Sequence, residues 1–362
     1  MKTITIQTQL GTFPVHFVSD FKFIDKLFAT SYSVVIVGKN VYQIYKKLFR
    51  RLPADRLIVI PMEEQYKTLD TVIKLYTKLL PFTAKRNLTI ISLGGGANQD
   101  IVGFVASTLY RGVNWIYIPT TLLAMADSAI GLKTSLNFNN YKNVIGTFYP
   151  PSQIYMNVDF LDTLSRFDYA SGVGEIVKFF LMKKNALREL DKSIRLIDNL
   201  RDTKDKVLAR RAIEQGIKIK LDYMKGDEFD LGRRNLLNYG HELGHALESV
   251  SHFRIFHGTG VLIGILFANY VSMKRQWLDK SLFTYINEKL LLPNIVAPHG
   301  ALKKIYFKHS LIIDRMKKDK KRTSEGLVLV LPRRDLALIK VDDLTKAEAQ
   351  EGLAFVRQIL TL

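Results

Sequence analysis

The first 160 residues alternate between short, wholly apolar runs and stretches of helical periodicity. Ser33-Val34-Val35-Ile36-Val37-Gly38, Arg56-Leu57-Ile58-Val59-Ile60-Pro61, Leu88-Thr89-Ile90-Ile91-Ser92-Leu93 and Trp115-Ile116-Tyr117-Ile118-Pro119 are β-branched runs that close on glycine or proline. A strand that is apolar on both faces needs cover on both faces. Such runs separated by helical patterns therefore predict a parallel sheet with helices on either side. Met1-Lys2-Thr3-Ile4-Thr5-Ile6 alternates instead, as a strand with one wet face does.

Near residue 160 the pattern changes. From Asp162-Thr163-Leu164-Ser165 to about residue 320, apolar positions recur at spacings of three and four, most clearly over 170–181, 207–224 and 243–250. One late β-like run, Leu327 to Pro332, interrupts it. No internal repeat or low-complexity linker is visible. The pattern predicts an α/β N-terminal domain with a Rossmann-like parallel sheet over residues 1–162, followed by a mainly α-helical C-terminal domain over 163–362. A crevice between two such domains is a natural place for a site.

Composition narrows the chemistry. With 362 residues, 47% hydrophobic and 24% charged, the chain has ample material for a globular core. It contains no cysteine, which excludes disulfides, a thiol nucleophile, thiolate zinc and iron–sulfur clusters. Any metal must be held by histidine and carboxylate. Fifty-three Lys and Arg against 34 Asp and Glu give a net charge of +19; a basic host proteome or a solvated surface accounts for it, as do a phosphorylated substrate, nucleic acid or an anionic membrane, and charge alone does not separate them. The basic residues are dispersed, and the densest run is Arg315-Met316-Lys317-Lys318-Asp319-Lys320-Lys321-Arg322. No helix-turn-helix or RNA-binding signature accompanies them, so no nucleic-acid partner is expected. The N-terminus lacks the apolar core of a signal peptide, and the longest apolar stretch, Val261 to Val271, is too short to span a bilayer. A cytoplasmic protein with no membrane partner is the expectation.

Three segments carry chemistry. Gly94-Gly95-Gly96-Ala97-Asn98-Gln99-Asp100 follows a strand and opens a helix, where free N–H groups and a close backbone suit a pyrophosphate. Gln99 occupies the last glycine position of a Gly-x-Gly-x-x-Gly, and a turn of this kind also serves simple tight packing. Asn238-Tyr239-Gly240-His241-Glu242-Leu243-Gly244-His245-Ala246-Leu247-Glu248 places His241 and His245 one helical turn apart, and His257 follows beside Gly258 and Gly260. With a carboxylate, these histidines can hold Zn²⁺ and leave positions open. The spacing differs by one residue from the His-Glu-x-x-His of metalloproteases, so Glu242 is a poor fit for a protease base. Glu175 and Lys178 share one face of an apolar helical segment, and their neighbours predict a buried pair. Asp127, Lys133, Lys142 and Asn143 follow a buried strand and Pro119-Thr120-Thr121, where an open α/β sheet presents loops to a ligand.

Taken in order, these segments resemble 3-dehydroquinate synthase and the wider sugar phosphate cyclase superfamily. The resemblance runs from about Glu64 to Pro332. It rests on Glu64-Gln65-Tyr66-Lys67-Thr68-Leu69, the glycine turn, Tyr110-Arg111-Gly112, residues 119–134, Lys142-Asn143, residues 171–178, 220–234 and 237–248, His257-Gly258 and Asp319-Lys320-Lys321. It implies NAD at Glu64, Lys67, Gly94, Gly95, Gly96, Asp100, Thr120, Thr121, Asp127, Lys133 and Lys142. It implies Zn²⁺ or Co²⁺ on Glu175, His241 and His257. It places a sugar phosphate substrate among Asp127, Lys133, Asn143, Lys178, Lys220, Arg234, Asn238, His245 and Lys320. Arg111 matches an arginine that reaches the phosphate from a neighbouring subunit, which implies a homodimer.

The implied activity converts 3-deoxy-arabino-heptulosonate 7-phosphate to 3-dehydroquinate and phosphate, a step of the shikimate pathway. Transient oxidation, phosphate elimination, reduction and aldol closure follow one another. A divergent cyclase acting on another sugar phosphate, and a metal-dependent polyol or glycerol phosphate dehydrogenase that releases NADH, are the alternatives. Gln99, Leu132, Glu242, Thr259 and Gly38-Lys39 depart from the pattern beside expected site residues.

Overall fold

The computed structural model describes residues 2–139, 141–318 and 327–361. The chain folds as two compact units, Met1–Leu164 and Ser165–Leu362.

The first unit runs β1 (Lys2–Thr8), β2 (Gly11–Phe17), α1 (Lys22–Phe28), β3 (Ser33–Gly38), α2 (Lys39–Ile44), β4 (Leu57–Ile60), α3 (Leu69–Leu79), β5 (Thr89–Gly94), α4 (Gly96–Thr108), β6 (Asn114–Pro119), α5 (Leu122–Ala126), β7 (Lys133–Phe138), β8 (Tyr141–Phe148) and β9 (Gln153–Met156). Seven strands form one sheet in the order β1-β2-β9-β6-β5-β3-β4, parallel throughout except for the β1–β2 hairpin. Every residue of β3 and β5 is buried, as their unbroken apolar sequences require. The chain leaves β3 for β4 on one side and returns to β5 on the other. The switch point of the sheet therefore lies at β3 and β5, and the glycine turn closes β5 there.

Two elements fall outside the expected pattern. Pro14 sits inside β2, where it pairs with Thr5 of β1, while β9 meets β2 only at Val15–Phe17, so the missing N–H breaks no ladder. Lys133, Lys142 and Asn143 lie on a two-stranded antiparallel hairpin, β7–β8, rather than on loops.

The second unit runs α6 (Arg166–Met182), α7 (Leu190–Thr203), α8 (Lys206–Met224), α9 (His241–Val250), α10 (His257–Lys274), α11 (Lys280–Ile286), α12 (His309–Lys318), β10 (Leu327–Pro332), β11 (Leu338–Leu344) and α13 (Lys346–Ile359). Its axis is α10, buried without a break from Gly258 to Asn269. This explains the long apolar run of the sequence: a helix that is apolar all round is a core helix. Among the described residues no helix is long and apolar enough to cross a membrane.

Glycines let α10 touch its neighbours backbone to backbone. A Cβ on Gly258 would lie 1.9 Å from the Ser171 carbonyl oxygen of α6. One on Gly264 would lie 1.8 Å from the carbonyl oxygen of Gly240, the residue before α9, whose own φ is +80°. The Gly258 amide donates to Ser171 Oγ at 2.9 Å, which fixes the first turn of α10 on α6. These approaches carry the ends of three helices to one place.

Candidate functional site

In the first unit the glycine turn is held from below. The Tyr117 hydroxyl donates to the carbonyl oxygens of Gly94 (3.1 Å) and Gly95 (3.0 Å), and the Thr120 amide donates to Gly94 at 3.0 Å. Thr121 caps α5 by accepting from the Ala124 amide at 3.2 Å. Its methyl group would stand 3.1 Å from a Cβ on Gly95. Among the described residues no side chain caps the start of α4, and uncapped N–H groups at a helix start are of the kind that favour an anion. Gln99 is buried and locked to Ser128: its amide donates to the Ser128 carbonyl at 2.8 Å and its oxygen accepts from Ser128 Oγ at 2.8 Å. Where a glycine would let a helix press on a strand, this side chain fills the space and ties α4 to the segment after α5.

Five of the expected residues meet in one polar network. Lys67, almost fully buried, donates to Asp100 Oδ2 at 2.9 Å, to Ser135 Oγ at 3.3 Å and to Asn143 Oδ1, and lies 3.5 Å from Glu64 Oε1. Lys142 Nζ is 3.7 Å from the same Glu64 oxygen. Asn137 donates its side-chain amide to Glu64 Oε1 at 3.0 Å and accepts from the Asn143 amide at 3.0 Å. Burial pushes the Asp100 carboxyl above its usual range, and the Lys67 ammonium pulls the other way without cancelling it. The network pins the β7–β8 hairpin to α4. Ser135 and Asn137 are members that sequence reasoning missed, because nothing in a hydroxyl or an amide six or eight residues before Asn143 announces a shared partner.

Asp127 follows α5 with φ −128° and ψ −75°, outside the regular wells, and Lys133 stands exposed at the start of β7. Arg111 is exposed at the far end of α4. Thirteen residues at about 1.5 Å each put it roughly 20 Å from the glycine turn of its own chain.

The second unit gathers Glu175, Lys178, His241, His245 and His257. The Glu175 side chain is fully buried, and Lys178 forms an ion pair with its Oε1 while donating to the Leu237 carbonyl at 2.9 Å. Glu175 Oε2 has no hydrogen-bond donor among the described residues and stands 3.8 Å from His257 Nε2. The ring centroids of His241 lie 5.2 Å from those of His245 and 5.1 Å from those of His257. Desolvation, then the Lys178 ammonium and the two neighbouring histidines, hold the His241 imidazole well below its usual range, so it is neutral at pH 7. Ligand atoms of Glu175, His241 and His257 all lie within 4.8 Å of one another, and a second such group is His245, Glu248 and His257. Burying a carboxylate and an ammonium is costly, and such a pair contributes little net stability.

Lys220 and Arg234 are buried nearby in sequence order, on α8 and on the turn before α9. The Asp227 carboxylate shapes that turn by accepting the amides of Leu231, Gly232 and Arg234, each at 2.8 Å. Arg234 donates to the Glu228 carbonyl, and Asn238 donates to the Asn235 carbonyl at 3.0 Å. Thr259 turns its hydroxyl away to the Val296 carbonyl at 2.6 Å, and Glu242 is buried on α9. Lys320 lies outside the described residues.

The fold is shared along its whole length with ValA, the 2-epi-5-epi-valiolone synthase of Streptomyces hygroscopicus subsp. jinggangensis 5008, solved with NAD⁺ and Zn²⁺ bound: the TM-score is 0.83 at 21% identity, covering 98% of this chain and 99% of that one. That likeness shows the fold. The sequence goes further: the 3-dehydroquinate synthase N-terminal family matches residues 57–171 and the 3-dehydroquinate synthase C-terminal family residues 172–322. The chain belongs to the 3-dehydroquinate synthase family. It is 35% identical over 300 residues to 3-dehydroquinate synthase of Pyrococcus abyssi (83% of this chain, 85% of that protein). It is 31% identical over 342 residues to that of Streptococcus equi subsp. equi (91% and 92%).

Proposed function

We propose that the protein is a 3-dehydroquinate synthase, which converts 3-deoxy-arabino-heptulosonate 7-phosphate to 3-dehydroquinate and inorganic phosphate. The observation that carries this reading is the centre of the second unit, found in a chain of this family. A fully buried carboxylate oxygen, without a donor among the described residues, faces an imidazole nitrogen beside a second imidazole held neutral. One carboxylate and two imidazoles are the three-ligand set of a catalytic Zn²⁺ or Co²⁺ site, and the donors fit. Glu175, His241 and His257 would hold the ion. The dinucleotide would take the uncapped start of α4 and the turn Gly94–Gly96, with Thr120 and Thr121 beside it. When bound, NAD⁺ supplies a hydride acceptor that is regenerated within the cycle, and the ion supplies a Lewis acid for the hydroxyl being oxidised.

The chain's own residues would bind and orient the substrate. Lys178, Lys220, Arg234 and Lys320 supply cationic donors for its carboxylate and phosphate. Asn143, Asn238 and His245 supply neutral polar contacts for its hydroxyls. Lys178 already stands against the ligand carboxylate, where it can pass its hydrogen bonds to a substrate oxygen. Asp127 and Lys133 serve both nucleotide and substrate. Lys67, engaged by four side chains, holds the hairpin that bears Lys142 and Asn143. The exposed Arg111, roughly 20 Å from its own glycine turn by helix rise, serves the site of a second copy in a homodimer.

The test is phosphate release from the heptulosonate phosphate with NAD⁺ and Zn²⁺. Release that stops on chelation and leaves no net NADH is expected. Accumulating NADH would instead favour a dehydrogenase, and no release from metal-loaded protein would move the substrate to another sugar phosphate. Glu175→Gln should lower the rate about a thousand-fold, since a Lewis acid of this kind contributes several kcal/mol.

A further inference from the structure

Glu248 lies on α9 at i+7 from His241 and i+3 from His245, so all three side chains share one face of the helix. Its side chain is 5% exposed, and its Oε1 is 2.7 Å from His257 Nδ1. With Glu248 as a carboxylate, which only accepts, this 2.7 Å contact assigns the proton to Nδ1. In a neutral ring that leaves Nε2 as a lone pair. Nε2 faces Glu175 Oε2, also an acceptor, at 3.8 Å. Two acceptors aimed at one another across that gap define a place for a cation. The Glu248 backbone is fixed as well: its carbonyl accepts from the Phe253 amide at 2.8 Å and from Ser251 Oγ at 3.1 Å at the end of α9.

We infer that Glu248 is a positioning residue: it holds His257 as the Nδ1–H tautomer and so presents Nε2, free of its proton, to a divalent cation shared with Glu175 and His241. The inference rests on the metal reading above and deepens it. It also chooses between the two groups of close ligand atoms. In the group of His245, Glu248 and His257, the nitrogen that Glu248 faces bears a proton and is closed to a metal. Carboxylate partners of this kind raise the basicity of a ligating imidazole and fix its ring plane.

Co²⁺ binding to the full chain tests this, with affinity measured by chelator competition and geometry by the visible d–d bands. Glu248→Gln is expected to weaken Co²⁺ about 10–100-fold with unchanged band positions and an unchanged thermal midpoint of the metal-free protein. Equal Co²⁺ affinity in Glu248→Gln and wild type would overturn the inference. So would a lower metal-free midpoint without selective loss of metal, which marks a merely structural role. Loss as complete as in Glu175→Gln, with altered bands, would make Glu248 a ligand and overturn it too. Wild-type protein that takes up no Co²⁺ would instead defeat the metal reading on which the inference stands. Should Glu248→Gln fail to fold, ¹⁵N spectra of histidine-labelled wild type with Zn²⁺ decide the matter. A proton on His257 Nδ1 is expected, and an unprotonated Nδ1 refutes the tautomer.

Discussion

Leu132 pays a local conformational penalty beside the hairpin that carries Lys133. Its φ is +62°, in the left-handed region that costs an ordinary residue about 1–2 kcal/mol. Its side chain is 2% exposed. Glycine at this position would relieve the backbone and lose a buried leucine, and the second effect is larger, about 2–5 kcal/mol. Leu132→Gly should therefore lower stability by about 1–3 kcal/mol, read from the urea midpoint. A gain in stability would mean that the strain outweighs the packing. At the same scale, Gln99 shows how a departure from a glycine pattern is accommodated: two hydrogen bonds to Ser128 satisfy the amide that burial would otherwise leave unpaired.

Helix placement is decided by glycines more than by apolar stripes. Because a Cβ on Gly258 would lie 1.9 Å from the Ser171 carbonyl oxygen, Gly258→Ala must push the start of α10 off α6, and His257 moves with it. Both the thermal midpoint and Co²⁺ affinity should fall, whereas alanine at the open Gly226 position would strain the backbone (φ +79°) without touching the centre. A second junction ties α10 to α13. Arg275, just past α10, donates to Glu348 Oε1 at 2.6 Å and Oε2 at 3.0 Å, while Glu348 and Thr345 form the capping box of α13. The Arg275 hydrogen bonds bring the Glu348 carboxyl down from 4.5 to about 2. Its folded value lies below its unfolded one, so its stabilisation is complete above about pH 4.5 and fades as pH falls toward 2. Glu348→Gln should cost about 2 kcal/mol at pH 7, after allowance for partial exposure. The gap to wild type should narrow by pH 3, and denaturant midpoints at the two pH values check it.

At the scale of the molecule, the net charge of +19 suits an anionic substrate and raises its local concentration through a field that salt screens. KM for the sugar phosphate should rise with ionic strength while kcat changes little. The proposed dimer makes a sharper prediction. If Arg111 acts on the site of its partner, mixing Arg111→Ala and Glu175→Gln chains restores one intact site per mixed dimer. If it acts within its own chain, both sites of the mixed dimer are impaired and mixing restores nothing.

The buried strands β3, β5 and β6 and the helices around His241 were legible because burial on both faces gives an unbroken apolar run and burial of one helical stripe gives a period; β4, at the edge of the sheet, is only half buried despite its apolar run. The hairpin β7–β8 was not legible, since it pairs only with itself, β8 has no buried residue, and one of the two buried positions of β7 is the polar Thr134. The histidine cluster and the buried Glu175 were visible as candidate donors, and the family resemblance, not residue type, picked out Glu175, His241 and His257 as the expected ligand set. What remained for tertiary structure was partnership: Lys67 with Asp100 and Asn143, and Glu248 with His257. These pairs join residues whose separation along the chain obeys no helical or strand period, and only the packing of their elements brings them within hydrogen-bonding distance. Sequence by itself determined the fold class and the donors available; the backbone contacts at Gly258 and Gly264 decided which of those donors point at the same place.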